Sequence, residues 1–169
     1  MITQPNLTTD DELQAEGWEP FEIRWLDYTF NHHRYEKMRS FDVLGKVPSG
    51  PGLYLFTLGR DLVDIRYCGK SKDLWMIAYG KLWYGSQTRG GNRYGRPNTA
   101  GDTRQWVNSR LTQHLDGEPR MWIRAVPGAT ESELLEVEDA CIDRWHTWQL
   151  GWNRTGRPLS DLLRLFDGL

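Results

Sequence analysis

The chain has 169 residues, a length that suits one domain with a buried core, and its 38% hydrophobic and 26% charged residues are ordinary for a soluble protein. No apolar run approaches the ~18 residues of a membrane span, and the first residues lack a basic-then-apolar signal pattern, so a cytoplasmic protein with no membrane partner is expected. The net charge of −2 conceals an uneven distribution, which argues against a general, passive nucleic-acid coat and for one localised basic surface.

Residues 1–20 carry Asp10, Asp11, Glu12, Glu16 and Glu19 and no Lys or Arg. Residues 67–114 carry Lys70, Lys72, Lys81, Arg89, Arg93, Arg96, Arg104 and Arg110 against Asp73 and Asp102. A basic central block in an otherwise acidic chain suits a surface that meets phosphates, although a solvated charged face would look the same by charge alone. The two cysteines, Cys68 and Cys141, offer neither metal-ligand spacing nor a disulfide framework and read as buried thiols. Most of the nine tryptophans read as packing residues.

In chain order, a polar leader precedes a short helix through Leu13, capped by Asp10 or Asp11. Phe21 to Phe30 is aromatic and suits strand or helix. His32 and His33 are adjacent, which does not place both on one helix face as a metal pair. Pro48-Ser49-Gly50-Pro51 breaks the chain. Two apolar runs follow, Gly52 to Leu58 and Val63 to Gly69, joined by Gly59-Arg60-Asp61. Their β-branched and aromatic content predicts a β-hairpin. Alternation places Leu53, Leu55 and Thr57 on one face and Tyr54, Phe56 and Leu58 on the other. Antiparallel pairing sets the start of one strand beside the end of the next, so Tyr54 and Tyr67 become neighbours. Two half-buried strand tyrosines would satisfy this pattern without any site.

After Gly69, Ser71 or Asp73 caps a helix through Leu74, Trp75, Ala78 and Leu82. Gly85 to Gly101 is dense in Gly, Asn, Ser, Thr and Arg, with Tyr84 and Tyr94 nearby, and is expected to be a long loop. Arg89, Arg93 and Arg96 beside Tyr94 suit phosphate contact and base stacking. A helix from Asp102 or Thr103 runs through Trp106, Val107, Leu111 and Leu115, with Arg110 and His114 one turn apart. Pro119 to Val126 reads as a third strand. Thr130-Glu131-Ser132-Glu133 opens a helix whose apolar stripe, Leu134, Cys141, Ile142 and Trp145, is interrupted by Glu138. A carboxylate there must be paired, metal-bound or at the core rim. A last short helix is expected from Ser160 to Phe166.

Together these residues resemble the GIY-YIG nuclease superfamily. Gly52-Leu53-Tyr54 is similar to the first motif and Tyr67-Cys68-Gly69 to the second, with Lys70 to Leu74 resembling the usual continuation. Arg110 with His114 matches the family's arginine and the His or Tyr one turn later, Glu138 with Ile142 the glutamate helix, and Asn153 the asparagine beyond it. In short family members the arginine lies ten residues after the second motif's tyrosine, which here is Ile77. Longer members, including some restriction endonucleases, carry an insertion before the arginine helix. Residues 81–102 then form that insertion and Arg110 is the displaced arginine; the other alignment makes Ile77 a substituted one.

The resemblance implies an α/β (α+β) fold, a small antiparallel three-stranded sheet flanked by helices. Residues 1–46 would be an N-terminal extension, 47–153 the core with its insertion, and 154–169 a C-terminal helix. It implies a metal-dependent DNA endonuclease of restriction type, using Mg²⁺ or Mn²⁺ held by Glu138. Tyr54, Tyr67, Arg110, His114 and Glu138 are the expected catalytic residues. Tyr54 would take a proton from water, Arg110 would bind phosphate, and Tyr67 and His114 would position the reactants. Gly69 and Asn153 are expected to support the site. Lys70, Arg89, Arg93, Arg96 and Arg104 are expected to contact DNA, and a homodimer would cut both strands. Two other functions fit the same residues: a structure-selective repair or recombination nuclease, and a non-catalytic nucleic-acid-binding module. The retained Glu138 speaks against the last.

Overall fold

The computed structural model describes residues 4–28, 38–79, 85–86, 107, 110–111 and 113–153. The predicted hairpin forms as β4 (Gly52–Leu58) and β5 (Val63–Ser71). All of β4 is buried because both of its faces are covered. Leu53 and Leu55 join one core with Leu13, Trp18, Val63, Ile65, Trp122, Ile142 and Trp145. Tyr54, Phe56 and Leu58 join the other, with Phe21, Phe41, Val43, Leu74, Ile77, Leu111 and Met121. The alternation read from the sequence therefore assigns the two faces correctly. The expected third strand is β7 (Arg120–Ala125), which pairs antiparallel with the other edge of β4.

The sheet is larger than three strands. β2 (Glu19–Tyr28) pairs with β7 and with β3 (Met38–Leu44), and two-residue strands β1 (Leu7–Thr8) and β6 (Gly85–Ser86) sit at the margins. The order is β1-β5-β4-β7-β2-β3-β6, a seven-stranded sheet with every pairing antiparallel. The aromatic stretch left open between strand and helix is thus a strand. It begins at Glu19, where Pro20 lies opposite Trp122.

Three helices are described from end to end: α1 (Asp10–Ala15), α2 (Leu74–Tyr79) and α3 (Glu131–Trp145). The cap of α1 is Thr9, not Asp10 or Asp11. Its side chain accepts from Glu12 N–H while Glu12 reaches back to the Thr9 N–H, a reciprocal capping box. Asp10 instead accepts two hydrogen bonds from Arg120, at 2.7 and 2.8 Å, whose guanidinium also lies 4.8 Å from the Trp122 ring. That pairing explains how a β7 arginine can be only 3% exposed. At α2 both proposed caps act in relay. Ser71 Oγ accepts from Asp73 N–H, and Asp73 Oδ1 accepts from Trp75 N–H. Thr130 and Glu133 form a second capping box at α3. The helix carrying Arg110 is seen at Val107, Arg110, Leu111 and Gln113, and Leu115–Gly117 forms a 3₁₀ turn. Its start, most of the 81–102 insertion and the expected C-terminal helix lie outside the described residues.

The β4–β7 seam contains one buried polar pair: Trp122 Nε1 donates to Thr57 Oγ1 at 2.9 Å, and both residues are wholly buried. Thr57→Val should leave the indole N–H without an acceptor and cost about 1–3 kcal/mol. Adding Trp122→Phe should cost less than the sum of the two single changes, because the second change removes the orphaned donor. Urea unfolding of the four proteins in this cycle measures the coupling; strict additivity would mean the bond contributes nothing.

Candidate active site

Tyr54 faces Gly69 across the hairpin and Tyr67 faces Phe56, so the tyrosines are diagonal neighbours on one face. Their ring centroids are 5.9 Å apart. The glycines of the two motifs have packing reasons. A Cβ at Gly69 would lie 2.5 Å from Tyr54 Oη, so the tyrosine ring lies across the space a side chain would fill. A Cβ at Gly52 would lie 2.5 Å from the Arg124 carbonyl oxygen, where β4 and β7 press together. Both tyrosines are deeply set, 5% and 6% exposed. Burial pushes the Tyr67 hydroxyl well above the usual phenol range, helped by the neighbouring Tyr54 and Glu138 and by its hydrogen bond with Tyr54. The shift keeps the Tyr67 hydroxyl in its protonated form, able to donate a hydrogen bond.

The outer edge of β5 organises the remaining groups. β1 covers Val63 and Asp64 there, and Ile65 N–H donates to Asn6 O at 2.8 Å just before it. Beyond them, Trp152 N–H donates to Arg66 O at 2.6 Å. Asn153 completes the next position from its side chain. Its Oδ1 accepts from Cys68 N–H at 3.0 Å and its Nδ2 donates to Cys68 O at 2.8 Å, so one amide imitates a paired strand residue. At the following outward position the Glu138 carboxylate meets the Lys70 N–H. Gly151 makes the close approach of this segment feasible, since a Cβ there would clash with the Arg66 carbonyl oxygen.

Glu138 thus reaches the end of the strand that carries Tyr67. Burial raises its carboxyl to about 7, with Asp139 and Glu131 adding to the rise and the Lys70 ammonium and N–H opposing it. Lys70 itself is engaged, its ammonium bonded to Glu131, with Lys72 3.7 Å from the same carboxylate. His114 stacks on Trp152 with ring centroids 5.7 Å apart, so the segment that closes the strand edge also holds the imidazole. Arg110 is half-buried one turn before His114, between the core residues Val107 and Leu111. Ile77 is buried in the same cluster as both tyrosines. It is an apolar packing residue at the place where the shorter alignment would need arginine.

The structure therefore brings Tyr54, Tyr67, Gly69, Lys70, Glu138 and Asn153 to one end of the hairpin, and His114 joins them through Trp152. The role of Trp152 as a platform has no local sequence signal beyond its position beside Asn153. Arg89, Arg93, Arg96, Arg104, His32 and His33 lie outside the described residues. No group of three His, Cys, Asp or Glu side chains converges among the described residues, and Glu138 is the carboxylate there that could hold a metal beside the tyrosines. A hard divalent cation that keeps most of its waters suits such a site, and a partly desolvated carboxylate with a raised proton affinity suits a cation partner. No helix among the described residues is long and apolar enough to cross a membrane. Comparison with known families, with characterised proteins and with solved structures finds no match.

Two predictions come from this edge. Asn153→Ala should leave the Cys68 N–H and C=O without protein partners and cost about 2–4 kcal/mol in urea unfolding; a change below 0.5 kcal/mol, about the size of an ordinary surface substitution, would show the amide is dispensable. The second concerns pH. Below 4.5 the Glu138 carboxyl is protonated whether folded or unfolded; from 4.5 to about 7 only the unfolded chain releases the proton. Stability should therefore fall as pH rises through that window, by up to about 1.4 kcal/mol per pH unit, and then level off. Glu138→Gln should flatten this fall and be the more stable protein at pH 8 without divalent cations. Mg²⁺ should raise the melting temperature of the unaltered protein at pH 8 and leave that of Glu138→Gln unmoved.

Proposed function

We propose that this protein is a divalent-cation-dependent DNA endonuclease of the GIY-YIG type, closest to the restriction branch. The observation that carries the reading is the meeting of Tyr54, Tyr67 and Glu138 at one end of the β4–β5 hairpin, from segments more than 70 residues apart. A structural tyrosine pair alone has no need of a half-desolvated carboxylate beside it.

Phosphodiester hydrolysis needs an activated water, neutralised phosphate charge and help for the leaving oxygen. Bound to Glu138, Mg²⁺ or Mn²⁺ would supply Lewis-acid stabilisation of the leaving oxygen. Arg110 binds the scissile phosphate through its planar fork of donors. Tyr67, kept protonated by burial, donates a hydrogen bond that orients Tyr54 and the attacking water. Tyr54 accepts the water's proton, a task that requires neighbouring cations to bring its hydroxyl below the ordinary phenol range near 10. His114, held flat on Trp152, positions the phosphate from the other side. Asn153 fixes the strand on which Tyr67 sits. Arg89, Arg93, Arg96 and Arg104 supply phosphate and base-edge contacts that select the DNA, and a dimer of the chain cuts both strands.

Glu138→Gln should abolish cleavage of plasmid DNA while leaving DNA affinity, measured by fluorescence anisotropy, within about threefold; a protein within tenfold of full activity removes Glu138 from the metal role. Arg110→Ala should lower the single-turnover rate by about 10²–10³, the scale of losing one transition-state donor. Ile77→Arg should not restore it. Recovery by Ile77→Arg would instead identify Ile77 as the altered arginine position.

A further inference from the structure

Trp75 differs from the tryptophans that build the core. Trp18, Trp122, Trp145 and Trp152 are each 5% exposed or less, whereas Trp75, the second residue of α2, is 50% exposed. It lines a cleft of about 880 Å³ together with Glu19, Gly45, Lys46, Val47 and Pro48. That volume is within the range of small-ligand sites, about 300–1,000 Å³. The proposed reaction uses none of these residues.

The cleft is built in advance of any ligand. Val47 is 3% exposed and anchors one wall in the core that holds Tyr54 and Phe56. Gly45 has φ +122°, and a Cβ there would lie 3.0 Å from the Phe21 ring, so the turn into this wall needs glycine. The other wall is tied to the same loop. Leu74 N–H donates to Gly50 O at 2.9 Å, and Asp73 Oδ1 accepts from Gly50 N–H at 3.2 Å and from Trp75 N–H at 3.1 Å. One wall leads into β4 and the other follows β5, at the hairpin end where Gly52 pairs with Ser71 and Tyr54 with Gly69. The bend between β5 and α2 also carries Lys72, whose side chain is 83% exposed.

The lining fits one kind of occupant. The indole and Pro48 offer flat apolar surface to a ring, Lys46 supplies a cation for a phosphate, and Glu19 supplies an acceptor for ring or amino N–H groups. A nucleobase with its own phosphate carries the complement of each. A paired base presents its edges in the grooves while its faces are covered by neighbours, so stacking on Trp75 requires a base outside the duplex stack. We propose that the Trp75 cleft binds one unpaired base of the DNA engaged at the hairpin end. This rests on the reading that the chain acts on DNA, and it adds the feature selected in that DNA, a base that has left the duplex.

The test is binding in EDTA, where the readout does not depend on cleavage, by fluorescence anisotropy with two labelled duplexes, one fully paired and one with a single unpaired base. The unaltered chain should bind the second about tenfold or more tightly, because the cost of extruding the base is already met. Trp75→Ala should remove that preference by losing about tenfold or more on the unpaired-base duplex, and Trp75→Phe, which keeps a ring, should retain most of it. Lys46→Ala should flatten the salt slope on the same duplex by about one unit. DNA binding with no preference for the unpaired base, or a preference that Trp75→Ala leaves intact, would overturn the proposal and leave the DNA reading standing. No binding of either duplex would overturn both. A dimer in gel filtration that Trp75→Ala dissociates would assign the cleft to a second copy and overturn it too. Where a variant fails to fold by circular dichroism, mild N-bromosuccinimide oxidation of the unaltered chain decides: the unpaired-base duplex should protect Trp75, and equal oxidation with and without it would overturn the proposal.

Discussion

The outer edge of β5 is the constraint on which the rest of the site depends. A buried strand edge exposes a row of N–H and C=O groups that must find partners, and here the backbone from Asn6 to Thr8 serves Val63 to Ile65. From Arg66 to Lys70 the partners are a backbone N–H from Trp152, a side-chain amide from Asn153 and a carboxylate from Glu138. Completing the edge piecemeal lets α3 present Glu138 beside Tyr67, and lets the segment after α3 hold His114 through Trp152.

Covering both faces of the sheet has an electrostatic consequence. With α1 and α3 on one face and α2 with the Arg110 segment on the other, the tyrosines of the hairpin end are buried and Glu138 is partly buried. Tyr67 is kept protonated and the Glu138 carboxyl is raised to about 7 by the same burial. These two shifts give the groups different tasks. A neutral phenol can donate and orient, whereas a carboxylate costly to ionise alone gains most from a cation partner. Lys70 tempers the effect from outside, shared between Glu131 and the field at Glu138.

Local pattern made the hairpin, its facing, β7 and the α3 start legible, because each is written in short-range alternation or in a capping box. Glu138 was conspicuous for a related reason, as one carboxylate in an apolar helical stripe. β3 was not legible: Phe41 and Val43, its buried side chains among the described ones, give too short an alternation to read. Thr9 as the cap of α1 was readable from Thr9 and Glu12, but the adjacent Asp10 and Asp11 competed as candidates, and Asp10 is occupied by Arg120 across the fold. The closing of the β5 edge joins Cys68 to Asn153 and Lys70 to Glu138 over long sequence separations, which no local pattern encodes. The hydrogen bonds of Asn153 to Cys68 give that residue a physical reason that sequence alone does not show.

The most direct measurement is incubation of supercoiled plasmid DNA with the purified chain in Mg²⁺ and, in parallel, in EDTA, with the product ends mapped by sequencing. The account predicts conversion to linear molecules with ends at a recurring sequence in Mg²⁺ and intact supercoiled DNA in EDTA. Plasmid that stays intact in both Mg²⁺ and Mn²⁺, under conditions where the protein is folded and binds the DNA, would contradict it.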